Sequence, residues 1–374
     1  RYAYKYVDTF GKPQFVYAWK LVPTDKTPAG KREDISLREK EKEIQKDLDD
    51  GIDHIGKKMT VCQLYAKQIR HRGNVRYNTK NGRKRLMKLL EEDKLGGCPI
   101  DSVKLSDAKE WAIRMKEKGI SYKTISNDKR SLKAAFYTAI QDDCIRKNPF
   151  DFQLNTVIED DTEPKVPLTP AQEESFLSFA QNDKVYQKYY DELIILLGTG
   201  LRISELCGLT DTDINFENRI INVDHQLLRS AETGYYIETP KTKSGIRQIP
   251  MSEKVYEAFN RVLKRRRGAK AVTIDGYSNF LFLNRDGYPK TATNYDGMFR
   301  GLAKKYNKYH EEALPKVMTP HTLRHTFCTN MANAGMNPKA LQYIMGHSNI
   351  TMTLNYYAHA TFDSAKAEML RIAA

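Results

Sequence analysis

Cysteine is scarce in this 374-residue sequence. The five present, at 62, 98, 144, 207 and 328, are an odd number without C-x-x-C spacing. That excludes a disulfide scaffold and a cysteine-rich zinc module, and the thiols read as reduced core filler. No stretch approaches the roughly 20 apolar residues of a membrane span, and no signal-peptide pattern opens the chain, so a cytoplasmic location is expected. Acidic residues are in deficit: Asp+Glu number 47 against 61 Lys+Arg, a net charge of +14. Such an excess fits a polyanionic partner, DNA or RNA before an anionic membrane. Hydrophobic residues make up 40% of the chain, enough for real cores, and the length suits two or three domains.

Read in order, YAYKYV (2–7) and QFVYAWKLV (14–22) are aromatic and β-branched strands separated by a Phe-Gly-Lys-Pro turn. The chain opens on Arg1 directly in the first strand, so we expect part of this first domain to precede it. Ser36 with Glu39 forms a capping box for a charged linker helix with a thin stripe of Leu37, Ile44 and Leu48. The first domain with this helix spans 1–50, and residues 58–154 read as an all-helical domain. Its helices are a Thr60-capped segment through Ile69, a second at 77–93, a third capped by Ser106, and a fourth carrying Ile125, Leu132, Phe136 and Ile140. Their polar faces hold Arg70, Arg72, Arg76, Lys80, Arg83, Lys84, Arg85, Lys123, Lys129, Arg130 and Lys133. A charge run is usually a solvated face, and a phosphate-facing surface is the sharper reading. Residues 155–168, acidic and proline-bearing, form a linker.

The last domain, 169–374, starts at Thr169-Pro170 with Gln172, a capping box with proline in the first turn. Arg202 stands where a new helix begins, with Glu205 three residues on to hold it. Residues 220–223, 235–241 and 246–251 read as one small antiparallel sheet, with Lys243-Ser244-Gly245 as the tight turn between its last two strands. The basic run Arg261, Lys264, Arg265, Arg266, Arg267, Lys270 follows on a helix.

The stretch from Thr319 to His359 organises the rest. It offers His321, Arg324, His325, His347, Tyr356, Tyr357 and His359 on a frame of Met331, Ala334, Leu341, Ile344 and Met345 at helical spacing. An arginine fork fits two phosphate oxygens. Histidine donates hydrogen bonds or moves protons, and an oriented tyrosine can form a covalent intermediate. Together they suggest attack on a phosphodiester. Zinc is the competing use, because His321 and His325 lie four apart, but the permanent cation Arg324 between them opposes it.

The pattern H-x-x-R, then G-H, then Y-x-H ten residues later, with TGLRISELCGL at 199–209, resembles the tyrosine recombinase (phage integrase) family. Within it the chain is most similar to integrases of conjugative transposons of the Tn916 type. The resemblance implies a mainly α, multidomain fold with small β-sheets: an N-terminal β-rich arm-binding domain, a helical core-binding domain and a mixed α/β catalytic domain. It implies site-specific recombination through a 3′-phosphotyrosyl link and a four-way junction, integrating and excising a mobile element. Arg202 and Arg324 would clamp the phosphate, with His321 and His347 on its oxygens. Lys243 would be the general acid, with Lys241 as the fallback. Tyr357, which matches Y-x-H, would be the nucleophile, its neighbour Tyr356 the alternative. His325 and His359 are read as structural.

The resemblance also implies double-stranded DNA at core and arm sites, two to four protomers on DNA, an accessory excision factor, a host DNA-bending protein, nucleoid association, and no cofactor or metal. The tail 361–374 would dock on its own domain or on a neighbouring protomer. A catalytically silent architectural protein and a type IB topoisomerase-like nicking enzyme are the alternative functions.

Overall fold

The computed structural model describes all residues except 10, 74, 164–165, 267–271, 358–368 and 371–374. The chain divides into two compact units, Arg1–Glu163 and Pro164–Ala374.

In the first unit, β1 (Tyr2–Val7) pairs antiparallel with β2 (Pro13–Ala18), in a register running from Tyr2 opposite Ala18 to Val7 opposite Pro13. Tyr6 and Ala18 point inward, while Lys5, Phe15 and Tyr17 are exposed. Helix α1 (Leu37–Asp49) starts at the expected Ser36–Glu39 capping box and packs on the hairpin, with Lys40 donating to the Tyr17 carbonyl at 3.0 Å. A bundle follows: α2 (Val61–His71), α3 (Tyr77–Glu91), α4 (Leu105–Glu117) and α5 (Tyr122–Gln141). Its core is built on Trp111, Phe136 and Phe150, with the Trp111 ring edge-on to Phe150 at 5.7 Å. One start differs from the sequence reading. Lys104, not Ser106, caps α4, because Asp107 in the first turn accepts from the Lys104 N–H at 2.8 Å. Ser106 lies within the helix.

The second unit begins with α6 (Pro170–Asn182), capped by Thr169 and Gln172 as expected. Then come the apolar α7 (Tyr190–Thr199) and the short α8 (Ile203–Gly208). Strands β3 (Ile214–Asn215), β4 (Ile220–Val223), β5 (Gln226–Ser230), β6 (Gly234–Glu238) and β7 (Arg247–Pro250) precede α9 (Glu253–Arg266) and α10 (Ala292–Tyr309). Helices α11 (Pro320–Asn333), α12 (Pro338–Met345) and α13 (Thr351–Leu354) complete the described elements. The core of this unit gathers Phe176, Leu193, Leu196, Leu206, Val255, Phe259, Phe299, Leu302 and Leu323. Helix α7 lies at its centre, packed on both α9 and α11.

The single antiparallel sheet expected at 220–251 is instead two. Among the described residues β7 pairs with β4, which also pairs with β3, whereas β6 pairs with β5. The turn Lys243–Gly245 is a 3-10 turn that crosses from one sheet to the other, not the tip of a hairpin. Strand β5, which the sequence reading left unassigned, claims β6. In the last segment Ala334 is exposed, past the end of α11, and Ala332 takes the buried position expected of it. His359, Arg267, Lys270 and the tail, apart from Met369 and Leu370, lie outside the described residues.

Candidate active site

The C-terminus of α12 organises the site. A helix end leaves its last carbonyls without intrahelical partners, and here three consecutive ones each accept from a different arginine. Arg247 Nε donates to Ile344 O at 2.5 Å, an Arg324 amino group donates to Met345 O, and Arg202 donates to Gly346 O at 3.0 Å. Gly346 ends the helix in the left-handed region at φ 61°, a conformation glycine adopts without a Cβ penalty.

Arg202 is the N-cap of α8. Its N–H donates to Glu205 Oε2 at 2.9 Å and its guanidinium to Oε1 at 2.7 Å, so Glu205 holds it from behind as the spacing suggested. The Arg202 side chain remains about one-third exposed, at 32%. Arg324 is buried on α11 and also donates to Gly200 O at 2.5 Å. Gly200 is the left-handed cap of α7, so two helix C-termini turn their carbonyls toward one guanidinium. Burial and the nearby Arg202 bring the Arg324 pKa down to about 9, which leaves it charged at neutral pH.

Sequence reasoning missed Arg247. Its side chain is fully buried, and it donates to both Glu205 oxygens, at 3.1 and 2.9 Å, and to Gly245 O at 3.1 Å. A signal existed: in β7 Arg247 alternates onto the same inward face as Ile249. Burial raises the Glu205 pKa, but the Arg247 hydrogen bonds and the surrounding arginines outweigh it and hold the carboxylate at about 2.

His347 directly follows Gly346 and is buried, its Nδ1 3.0 Å from Thr353 Oγ1. Desolvation, then Arg324, Arg202 and Arg247, depress its pKa to about 4. It is therefore neutral at pH 7 and offers a hydrogen bond rather than a charge. His321 stands exposed in the first turn of α11, three residues before Arg324. Lys243 and the fallback Lys241 are both exposed, Lys243 on the turn whose Gly245 carbonyl Arg247 holds.

The two tyrosines diverge. The Tyr356 hydroxyl lies 2.8 Å from His325 Nδ1, whereas Tyr357 donates to the Met336 carbonyl at 2.5 Å. Both pack against the small cluster of Phe327, Cys328, Leu341 and Met345. Burial pushes the Tyr356 phenol up to about 12, with Arg324 pulling the other way; burial also raises Tyr357, without an Arg324 contribution.

Neither His325 nor His321 belongs to a cluster with metal-ligand geometry among the described residues. The two such clusters are Glu43/Asp47/His54, where the Lys57 ammonium sits 2.5 Å from Asp47, and Asp213/Asp224/His225. In the first unit, several basic residues are engaged internally: Arg85 by Asp128, Lys133 by Asp151 and Lys129 by the Phe152 carbonyl. Lys80, Arg83, Lys84 and Lys88 line a groove together with Ile69, Val75 and Met87, and Lys88 also lies 3.8 Å from Glu92.

Two arginines anchored from behind, a neutral histidine beside them and a tyrosine hydroxyl on His325, the residue after Arg324, suit an enzyme that attacks phosphodiesters, carried on a mainly α fold. Comparison with known proteins narrows this. The phage integrase family matches residues 167–364, and the DNA binding domain of tn916 integrase matches residues 1–48. The chain is 69% identical over 372 residues to the transposase from transposon Tn916 of Enterococcus faecalis, covering 100% of this chain and 92% of that protein. It is equally similar to the transposase from transposon Tn1545 of Streptococcus pneumoniae. Among solved structures, the Tn1549 transposon integrase in complex with a circular intermediate DNA aligns with a TM-score of 0.80 and 78% identity, over 84% of this chain and 99% of that one. The chain belongs to the phage integrase family. It is an integrase of the Tn916 type, a tyrosine recombinase that acts in site-specific recombination.

Proposed function

We propose that the enzyme integrates and excises a mobile element by cutting DNA through a 3′-phosphotyrosyl intermediate, with Tyr356 as nucleophile. The tyrosine oxygen attacks phosphorus, its proton passes to a histidine of α11, and the bond to the 5′ oxygen breaks. Lys243 protonates that leaving oxygen. Arg202 and Arg324 clamp the phosphate, and His321 and His347 donate to its oxygens. A partner strand's 5′-hydroxyl reverses the attack, and two such exchanges pass through a four-way junction. The phosphotyrosine retains the bond energy, so the scheme uses neither ATP nor metal.

The observation that carries this reading is the convergence of Arg202 and Arg324 on adjacent carbonyls of α12. Choosing Tyr356 moves the nucleophile one residue from the Y-x-H expectation of Tyr357. Two observations support the move. The Tyr356 hydroxyl rests on His325, next to Arg324, and feels that arginine's charge. In addition, one solved Tn1549 integrase carries an arginine-to-lysine change and another a tyrosine-to-phenylalanine change. The spacing of those two positions equals that of Arg202 and Tyr356.

The Tn1549 structures hold transposon right end and circular intermediate DNA. By the same reading, this chain's partners are the ends of its element, at core and arm sites. Two to four protomers assemble there in the bacterial cytoplasm, on the nucleoid, with an excision factor and a host DNA-bending protein. The exposed Lys5, Phe15 and Tyr17 of the hairpin form the arm-site face.

The test is a suicide DNA substrate in EDTA, scored for a denaturation-resistant adduct. Wild type forms it; Tyr356→Phe loses it and still binds DNA; Tyr357→Phe retains it. The opposite pattern returns the nucleophile to Tyr357. An adduct-free wild type supports the architectural alternative, and cleavage that needs a divalent ion refutes the metal-free scheme.

A further inference from the structure

Arg247 has no access to a substrate: its side chain is fully buried. Yet its guanidinium makes four hydrogen bonds to three segments that the recombinase reading needs. On α8 it grips both oxygens of Glu205, the carboxylate that orients Arg202. In the turn that carries Lys243 it holds the Gly245 carbonyl. On α12 it holds Ile344 O, in the same row of carbonyls that Arg324 and Arg202 occupy. The turn is tight around this point. A Cβ on Gly245 would lie 2.3 Å from the Pro240 Cβ, and one on Gly346 would lie 3.0 Å from Ser244 O and 3.2 Å from Arg247.

We propose that Arg247 is a positioning residue that fixes the catalytic lysine turn relative to the phosphate-clamping arginines, by linking Gly245 to Glu205 and Ile344 through one planar guanidinium. The turn has one sheet on each side of it, β5–β6 before and β3–β4–β7 after. A single sheet's ladder therefore does not set its place, and the buried fork does. A lysine at this position keeps the charge but loses the planar fork, so it cannot serve all three segments. The inference rests on the recombinase reading above.

The experiment measures single-turnover cleavage and DNA affinity for Arg247→Lys and wild type on two suicide substrates. One is ordinary DNA. In the other, sulfur replaces the bridging 5′ oxygen at the cleaved bond, and a thiolate departs without needing a proton. The variant is expected to bind DNA within about twofold of wild type and to cleave ordinary DNA on the order of 100-fold more slowly, the effect of misplacing a reacting group by about 1 Å. On the sulfur substrate its deficit should shrink by about tenfold or more, because the contribution of the lysine turn no longer counts. Cleavage within about threefold of wild type overturns the proposal, as do equal deficits on both substrates or a parallel loss of affinity. Should Arg247→Lys fail to fold, Arg247→Gln takes its place, which keeps planar N–H donors and leaves Glu205 to hold Arg202. The same two-substrate comparison then decides. Wild type lacking an adduct on both substrates refutes the recombinase reading itself, a result separate from any behaviour of the variants.

Discussion

His347 stands among Arg202, Arg247 and Arg324, and remaining neutral there has a thermodynamic consequence. Its pKa is about 4 in the folded state, against about 6.5 for an unperturbed histidine. The unfolded chain therefore binds more protons between these values. Stability from this residue is fully present above pH 6.5 and is lost as pH falls through 4, up to about 3 kcal/mol. Melting curves from pH 8 to 4 should show this loss in wild type and a shallower one in His347→Gln; identical slopes would refute the assignment. The same residue shows what sequence can carry. His347, Arg324 and Arg202 stood out as polar groups in an apolar frame, and the structure brings them together. Arg247 did not stand out, because an arginine in a short strand reads as an edge residue, and its burial depends on Glu205, 42 positions away. The tyrosine pair was legible as a pair, but sequence spacing does not reveal which hydroxyl meets His325.

Where the signal was local, elements could be read in advance. Ser36 with Glu39, Thr60 with Gln63 and Thr169 with Gln172 each close a capping box at the expected helix start. The α4 start slipped by two residues because an unusual cap, Lys104, is completed by Asp107. Strand pairing was not legible, since β5 competes for β6 through contacts that no period of the sequence encodes. Helix ends also carry a testable cost. Gly200 closes α7 at φ 63°, and a Cβ there would meet the Phe327 ring at 2.5 Å and Met345 Sδ at 2.9 Å. Gly335 beyond α11 has a similar φ, 77°, with nothing within 4 Å of its Cβ position. Gly335→Ala should therefore cost only the left-handed penalty, about 1–2 kcal/mol. Gly200→Ala should add overpacking of about 1–3 kcal/mol. Thermal or urea melting of both variants checks this; equal losses would show that the Phe327 ring yields freely.

For the whole molecule the excess of positive charge governs affinity. The +14 net charge was plain from composition, but composition does not say which groups are already engaged, and Arg85, Lys129 and Lys133 prove to be. If the remaining basic surface neutralises on the order of 6–10 phosphates, affinity for a single site should fall by roughly 10³–10⁵ between 50 and 200 mM salt. A flat response would mark these faces as solvated surface. No helix among the described residues is long and apolar enough to cross a membrane.

The row of carbonyls at Ile344, Met345 and Gly346 bears on how such a sequence can diverge. Backbone oxygens belong to no particular side chain, so most replacements at Ile344 and Met345 leave the three arginines their acceptors. Register is another matter. Each residue inserted or removed within α12 turns the following backbone by about 100°, and the whole row would then face away from Arg202, Arg247 and Arg324. Lineages should accumulate substitutions in this helix while keeping its length invariant, and a library of single-codon deletions across 338–346 should yield far fewer active clones than a substitution library of the same window.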